Sequence, residues 1–155
     1  MRIAVAPLAA LFLAIPLFAG ALALQVLNPA GNPEAQSKHL VVLARTTACH
    51  SPEKTQITAT AESIVNGARQ SVPLHVVALS ASGTYGVARE WPAEGTWVIK
   101  LVATNPEYKS YATGALVAFE SGSPQWASAK TYFHQPSDAE VAALLNTTGQ
   151  RSSLE

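Results

Sequence analysis

The chain holds a single cysteine, Cys49, in 155 residues, so no disulfide can form within it. Whatever it folds into is held by its core alone. One aspartate occurs, Asp138, which excludes calcium loops built from clustered Asp and Asn oxygens. The only methionine is Met1, so a blue-copper centre would lack its usual axial thioether, and there is no Met-rich or His-rich copper segment. Ten Lys and Arg balance ten Asp and Glu, scattered singly, which leaves no basic patch for nucleic acid and no acidic tail. No nucleophile elbow, phosphate loop, HExxH helix or dinucleotide fingerprint is present. No small-molecule substrate is evident, and the chain reads as a non-enzyme.

Long apolar runs occur in one place. Residues 1–23 read as a secretory signal peptide: Arg2 gives the positive start, Ile3 to Leu17 is uncharged, and Pro16 would break a helix ahead of two small-x-small patterns, Ala19-Gly20-Ala21 and Ala21-Leu22-Ala23. The alternative is an uncleaved anchor, because the uncharged run through Leu24 is long enough to span a bilayer. The expectation is an exported protein, periplasmic or secreted, that meets a membrane only through an uncleaved signal segment. The remaining chain, about 130 residues, suits one domain with a real core. Residues 24–37, with Pro29, Gly31 and Pro33 among polar neighbours, read as a flexible leader.

From residue 38 the period is that of strands. Leu40, Val42 and Ala44 alternate with Val41, Leu43 and Arg45, apolar on both faces. Ile57, Ala59 and Ala61 alternate with Thr58, Thr60 and Glu62. Asn66-Gly67 fits the centre of a type I′ turn and predicts that Ser63-Ile64-Val65 pairs with Ala68-Arg69-Gln70. The return strand runs to Leu79, with Pro73 marking an edge or bulge. Thr84 to Glu90 follows. Trp91-Pro92-Ala93-Glu94-Gly95 then makes a tight turn into a strand whose Trp97, Ile99, Leu101 and Ala103 share one face. Asn105-Pro106 turns the chain into a last strand, Lys109 to Phe119. Strands recurring at roughly ten-residue intervals predict an all-β, immunoglobulin-like sandwich of about seven strands over residues 38–120.

Residues 121–148 read as a strap and a short helix packed on the sandwich. Ser137 and Glu140 form a capping box, and Val141, Leu144 and Leu145 give the helix its apolar stripe over about Asp138 to Asn146. Its expected place is over a sheet edge. Residues 149–155 read as a disordered tail.

The passage from Pro73-Leu74 through Gly83-Thr84-Tyr85 and Trp91-Pro92 to Gly95-Thr96-Trp97-Val98 resembles small exported immunoglobulin-like domains of the YtkA-like and FixH-like kind. The resemblance implies a periplasmic or cell-surface β-sandwich that accompanies other proteins and carries no catalytic residues. Some such domains are linked to copper handling or to the assembly of membrane complexes.

Chemistry-bearing side chains gather at one point, Cys49-His50. Thiolate and imidazole suit copper or zinc, and His39, on the strand leading into that loop, is the third candidate ligand. His75 and His134 stay unplaced. Adjacent residues on an extended chain point apart, so His50 cannot serve as the base of Cys49. Arg45, Glu53, Lys54 and Glu62 read as a solvated face with cross-strand pairs. Trp91, Trp97, Trp126, Tyr85, Tyr108 and Tyr111 could form a carbohydrate platform, though core packing accounts for most of them. The leading expectation is a non-enzymatic exported binding module for a protein partner or an envelope complex, with no cofactor. The alternatives are a periplasmic copper- or zinc-binding accessory protein using Cys49, His50 and His39, and a carbohydrate-binding module.

Overall fold

The computed structural model describes residues 22–48, 50–108 and 111–152. The signal peptide expected over residues 1–23 falls almost wholly outside these residues. Among the described residues, ten strands and two α-helices follow in order. They are β1 (Ala23–Leu27), α1 (Pro33–Ser37), β2 (Leu40–Thr47), β3 (Gln56–Val65), β4 (Ala68–Leu74), β5 (Val76–Ala78), β6 (Thr84–Ala88), β7 (Thr96–Thr104), β8 (Ala112–Glu120), β9 (Ser123–Pro124), β10 (Lys130–Tyr132) and α2 (Asp138–Ser152). Two antiparallel sheets form a β-sandwich. One runs β1-β2-β6-β5, and the other runs β10-β8-β7-β3-β4 with β9 paired to β8. The expected all-β sandwich is present. It has ten strands instead of about seven, because three short ones lie outside the range read as the sandwich: β1 before it, β9 and β10 after it.

The core lies between the sheets. Trp97, Ile99, Leu101 and Ala103 of β7 all point into it, as their alternation requires. They meet Val42 and Ala44 of β2, Ala59 and Ala61 of β3, and Ala115, Val117 and Phe119 of β8. Trp91 closes one end, its ring 5.2 Å from that of Phe119 in an edge-on arrangement. Gly95, at φ +79°, makes the turn between the two tryptophans, and Trp97 Nε1 donates back to Glu94 O at 3.0 Å. Trp91 Nε1 is buried with no hydrogen-bond partner.

The Asn66-Gly67 hairpin has the expected register: Ser63 faces Gln70, Ile64 faces Arg69 and Val65 faces Ala68. The return strand departs from expectation. It leaves one sheet after Leu74 and resumes at Val76 in the other, so β4 and β5 belong to different sheets. Pro73 cannot donate to a ladder, so it sits on the outermost strand just before the crossing. At the crossing, the Glu90 carboxylate accepts from the His75 backbone N–H at 3.2 Å and lies 3.0 Å from its ring Nδ1. This contact holds the Glu90 carboxyl below its usual range.

Both sheets carry apolar residues on their outer faces, and a helix covers each. Val98, Leu116 and Ala118 lie under Val141, Leu144 and Leu145 of α2. The capping box is formed: Glu140 accepts from the Ser137 backbone N–H at 2.7 Å and from its hydroxyl at 2.8 Å. These bonds hold the Glu140 carboxyl below its usual range. Two expectations are corrected here. The helix covers a sheet face instead of an edge, because β7 and β8 are apolar on both sides. It also continues to Ser152, so residues 149–152 of the expected tail are helical. The segment leading into the helix packs closely on β8: a Cβ on Gly114 would lie 2.2 Å from Pro136 Cδ.

Residues 24–37 are likewise corrected from a flexible leader. Leu24 is buried in the core, and β1 pairs with β2 along its whole length. The two prolines follow asparagines that act as caps. Asn28 Oδ1 accepts from the Ala30 N–H, and Asn32 Oδ1 from the Ala35 N–H, each at 2.9 Å. Composition read as a linker is in fact helix-start chemistry. The segment lays Ala35 over Leu40, Leu43 and Leu79 on the second outer face. It is fastened by Glu34, whose carboxylate accepts from the Ser80 N–H at 3.1 Å, from the Ser80 hydroxyl at 2.6 Å and from Lys38 at 2.8 Å. These donors, Lys38 first, hold the Glu34 carboxyl down at about 2, against an ordinary 4.5.

Two predictions follow from these contacts. Trp97→Phe gives up a hydrogen bond that Trp91→Phe does not, so in urea titrations it should be the more destabilising by about 1 kcal/mol. The Glu34 carboxyl is depressed on folding, so its stabilisation is fully present above pH 4.5 and is lost as pH falls through about 2. In Glu34→Gln, the pH dependence of unfolding across that window should flatten, as tracked by fluorescence of the buried tryptophans.

Candidate loop-end interaction site

β2 is antiparallel to β1 and β3 is antiparallel to β7, which gathers several chain reversals at one end of the sandwich. Ala23 lies opposite Thr47, Gln56 opposite Thr104, and Thr104 opposite Ala112. The loop between β2 and β3 therefore meets the loop between β7 and β8.

Asn105 fastens the two loops together. It is 3 % exposed, and its Nδ2 donates to Ser51 O at 2.9 Å and lies 3.0 Å from the buried Thr55 Oγ1. Its Oδ1 accepts from the Glu107 N–H at 3.0 Å, the local turn that an Asn before a proline favours. Ser51 takes a left-handed backbone (φ 44°) and starts the short 3-10 turn Pro52–Lys54. The His50 N–H donates to the Tyr108 hydroxyl at 3.0 Å, and the two rings lie 6.4 Å apart with a 42° tilt. Lys54 pairs with Glu107 across the loops. The pair raises the Lys54 ammonium and lowers the Glu107 carboxyl, with His50 adding a smaller push to the latter. Outward from this brace, His50, Pro52, Glu53, Lys54, Pro106 and Glu107 are exposed.

The three expected metal ligands do not come together as a set. His39 precedes β2 and His50 follows it. The eight residues of β2 that separate them run as a strand spanning about 25 Å. His39, at φ 52°, lies at the opposite end of the sandwich from His50. Cys49 lies outside the described residues. Among the described residues, no three His, Cys, Asp or Glu side chains group in a way that could hold a metal ion. His75 and His134 pair with Glu90 and Glu140 respectively. As for the carbohydrate platform, Trp91 and Trp97 are 5 % and 3 % exposed, and Trp126 packs against the core.

One expectation about charge is corrected. Glu62 is not on a solvated face: it is 3 % exposed, on the outer face of β3. Its carboxylate accepts from Arg69 at 2.6 Å and from the Thr60 hydroxyl at 3.1 Å, with Lys100 at 3.6 Å. Arg69 also reaches Asp138 in the first turn of α2 at 3.0 Å. The hairpin register contained this signal, because Arg69 opposite Ile64 stands diagonal to Glu62 on the same face. A groove of about 320 Å³ opens beside this cluster, lined by Thr58, Thr60, Lys100, Thr104 and Gln135. Its one cation, Lys100, already faces Glu62, so the groove has no free positive charge for an anion. Lys54 pairs with Glu107 on the neighbouring loop.

No protein-family model, curated protein or solved structure matches the chain. Among the described residues, no helix is long and apolar enough to cross a membrane.

Asn105→Ala removes one group that serves two loops and leaves the buried Thr55 hydroxyl without it. It should cost about 1–3 kcal/mol. Amide exchange should accelerate in residues 50–55 and 106–108 while the β7–β8 ladder keeps its protection. Uniform acceleration across both regions would mean that Asn105 supports the whole fold and not the loop end.

Proposed function

We propose that the chain is a non-enzymatic, exported β-sandwich domain that binds a protein partner through the loop end built from residues 47–55 and 105–108. The observation that carries this reading is where the surface is left open. The outer face of one sheet is covered by α2 and that of the other by the segment holding α1. The loop end is exposed, yet its backbone is held in place from beneath by Asn105. A surface already ordered before contact loses little conformational freedom on binding. Its make-up suits a protein partner: a tyrosine and a histidine ring side by side, flanked by a paired lysine and glutamate. The resemblance to small exported domains that accompany other proteins points the same way, and secretion follows from the apolar start of the chain.

A photo-cross-linking amino acid at Glu53 should trap one discrete partner in the native envelope. The same label at Glu94, at the opposite end of the sandwich, should not. Introducing Asn105→Ala should weaken the Glu53 adduct several-fold. Equal adducts from Glu53 and Glu94, or an adduct indifferent to Asn105→Ala, would refute the loop end as the binding surface.

A further inference from the structure

We infer that the groove beside Glu62 binds a neutral sugar, either free or as one unit of a longer glycan. The inference goes beyond the protein-binding role proposed above and does not rest on it. The groove lies on the outer face of the second sheet, beside the part that α2 covers. Across β3 and β7, Thr60 faces Lys100 and Thr58 faces Val102, and Thr104 follows two residues on. Gly114 of β8 stands opposite Val102, and Pro136 packs against Gly114, which brings Gln135 to the side of the groove.

The observation that carries the inference is Lys100. Its side chain is only 15 % exposed, and its ammonium stands 3.6 Å from Glu62 Oε1, beyond hydrogen-bond reach. Among the described residues it has no other acceptor. An ammonium carries three donors, and a largely buried one left unpaired calls for an acceptor from outside the chain. The rest of the lining is equally ready to bond. Thr60 gives its hydroxyl hydrogen to Glu62, so its oxygen is left to accept. Thr58, Thr104 and Gln135 are exposed, and among the described residues their side chains make no hydrogen bond. Donors and acceptors are thus interleaved over a few ångströms, the pattern that a ring of hydroxyls meets group for group.

Charge narrows the ligand further. Glu62 and Asp138 balance Arg69 and Lys100 within one cluster. A carboxylate or phosphate in the groove would stand against Glu62, and an amine against Lys100. A neutral molecule meets neither repulsion. Val102, 8 % exposed, supplies an apolar patch for the C–H face of a sugar ring. The volume of about 320 Å³ is at the small end of small-molecule sites and suits a single ring. No aromatic side chain lines the groove among the described residues, so the expected dissociation constant is about millimolar.

The test is a titration of the purified, isotope-labelled protein followed by amide NMR shifts. The probes are glucose, maltotriose, N-acetylglucosamine and its trimer, with glucuronate and inorganic phosphate as anions. At least one neutral probe should give saturable shifts confined to residues 58–60, 100–104 and 135. A trimer that binds more tightly than its monomer identifies the ligand as a unit of a glycan, and equal binding identifies it as a free sugar. Lys100→Met leaves Glu62 its Arg69 and Thr60 partners and should weaken binding at least about tenfold. Thr58→Val and Thr104→Val, on exposed strand positions, should each weaken it about fivefold, and they serve as the test if Lys100→Met does not fold. No saturable shift with any neutral probe would overturn the inference. So would binding of glucuronate or phosphate as tight as that of the neutral sugars, or affinity unchanged in the threonine variants.

Discussion

The constraint on which this structure depends is that its central strands are apolar on both faces. In β7, Trp97, Ile99 and Leu101 fill the space between the sheets while Val98 points the other way and is just as buried. β8 repeats the pattern with Val117 and Phe119 inside and Leu116 and Ala118 outside. An antiparallel sheet with one wet face would expose those outer residues. With no disulfide open to it, the chain answers with additional packing: α2 over one sheet and the capped segment from Asn28 to Ser37 over the other. Each cover is then fastened by a carboxylate. Glu34 grips Ser80, and Glu62 reaches Asp138 through Arg69.

That requirement also decides where a surface can be left for other work. Faces taken up by covers are not free, and the residues that remain exposed and well braced cluster where the loops meet. The buried support there is the amide side chain of Asn105, which satisfies a carbonyl, a hydroxyl and a backbone N–H at once, beneath the His50–Tyr108 and Lys54–Glu107 ties. A buried polar group of this kind fixes geometry more than it adds net stability, because each bond formed replaces one to water.

Periodicity carried most of the sandwich. The inward set of β7, the Asn66-Gly67 register and the Ser137–Glu140 capping box are local signals, and the structure has them as read. The misses share a cause. Asn28-Pro29 and Asn32-Pro33 look like linker composition, and only the presence of an apolar sheet face beside them turns their capping bonds into a stable cover. The crossing at His75 is similar, since alternation continues smoothly through Leu74 and Val76 and gives no sign that the ladder has changed sheets. The candidate site was less legible. His50 drew attention through its cysteine neighbour, whereas the residue that builds the loop end, Asn105, read only as half of a turn. His39 is a candidate ligand only through its place on the strand leading into the His50 loop, and a strand between two residues sets them as far apart as its length allows.

The crossing at His75 has a consequence for life at high local concentration. β4 is the outermost strand of its sheet, and such a strand offers unpaired backbone groups to any neighbouring molecule. Here the free edge lasts only seven residues, carries Arg69, and meets Pro73 just before the chain turns away to the other sheet. A second copy seeking to extend the sheet finds a proline without a donor and then no strand at all. The same bend that ties the two sheets together thus shortens the edge that β4 offers to a neighbouring molecule.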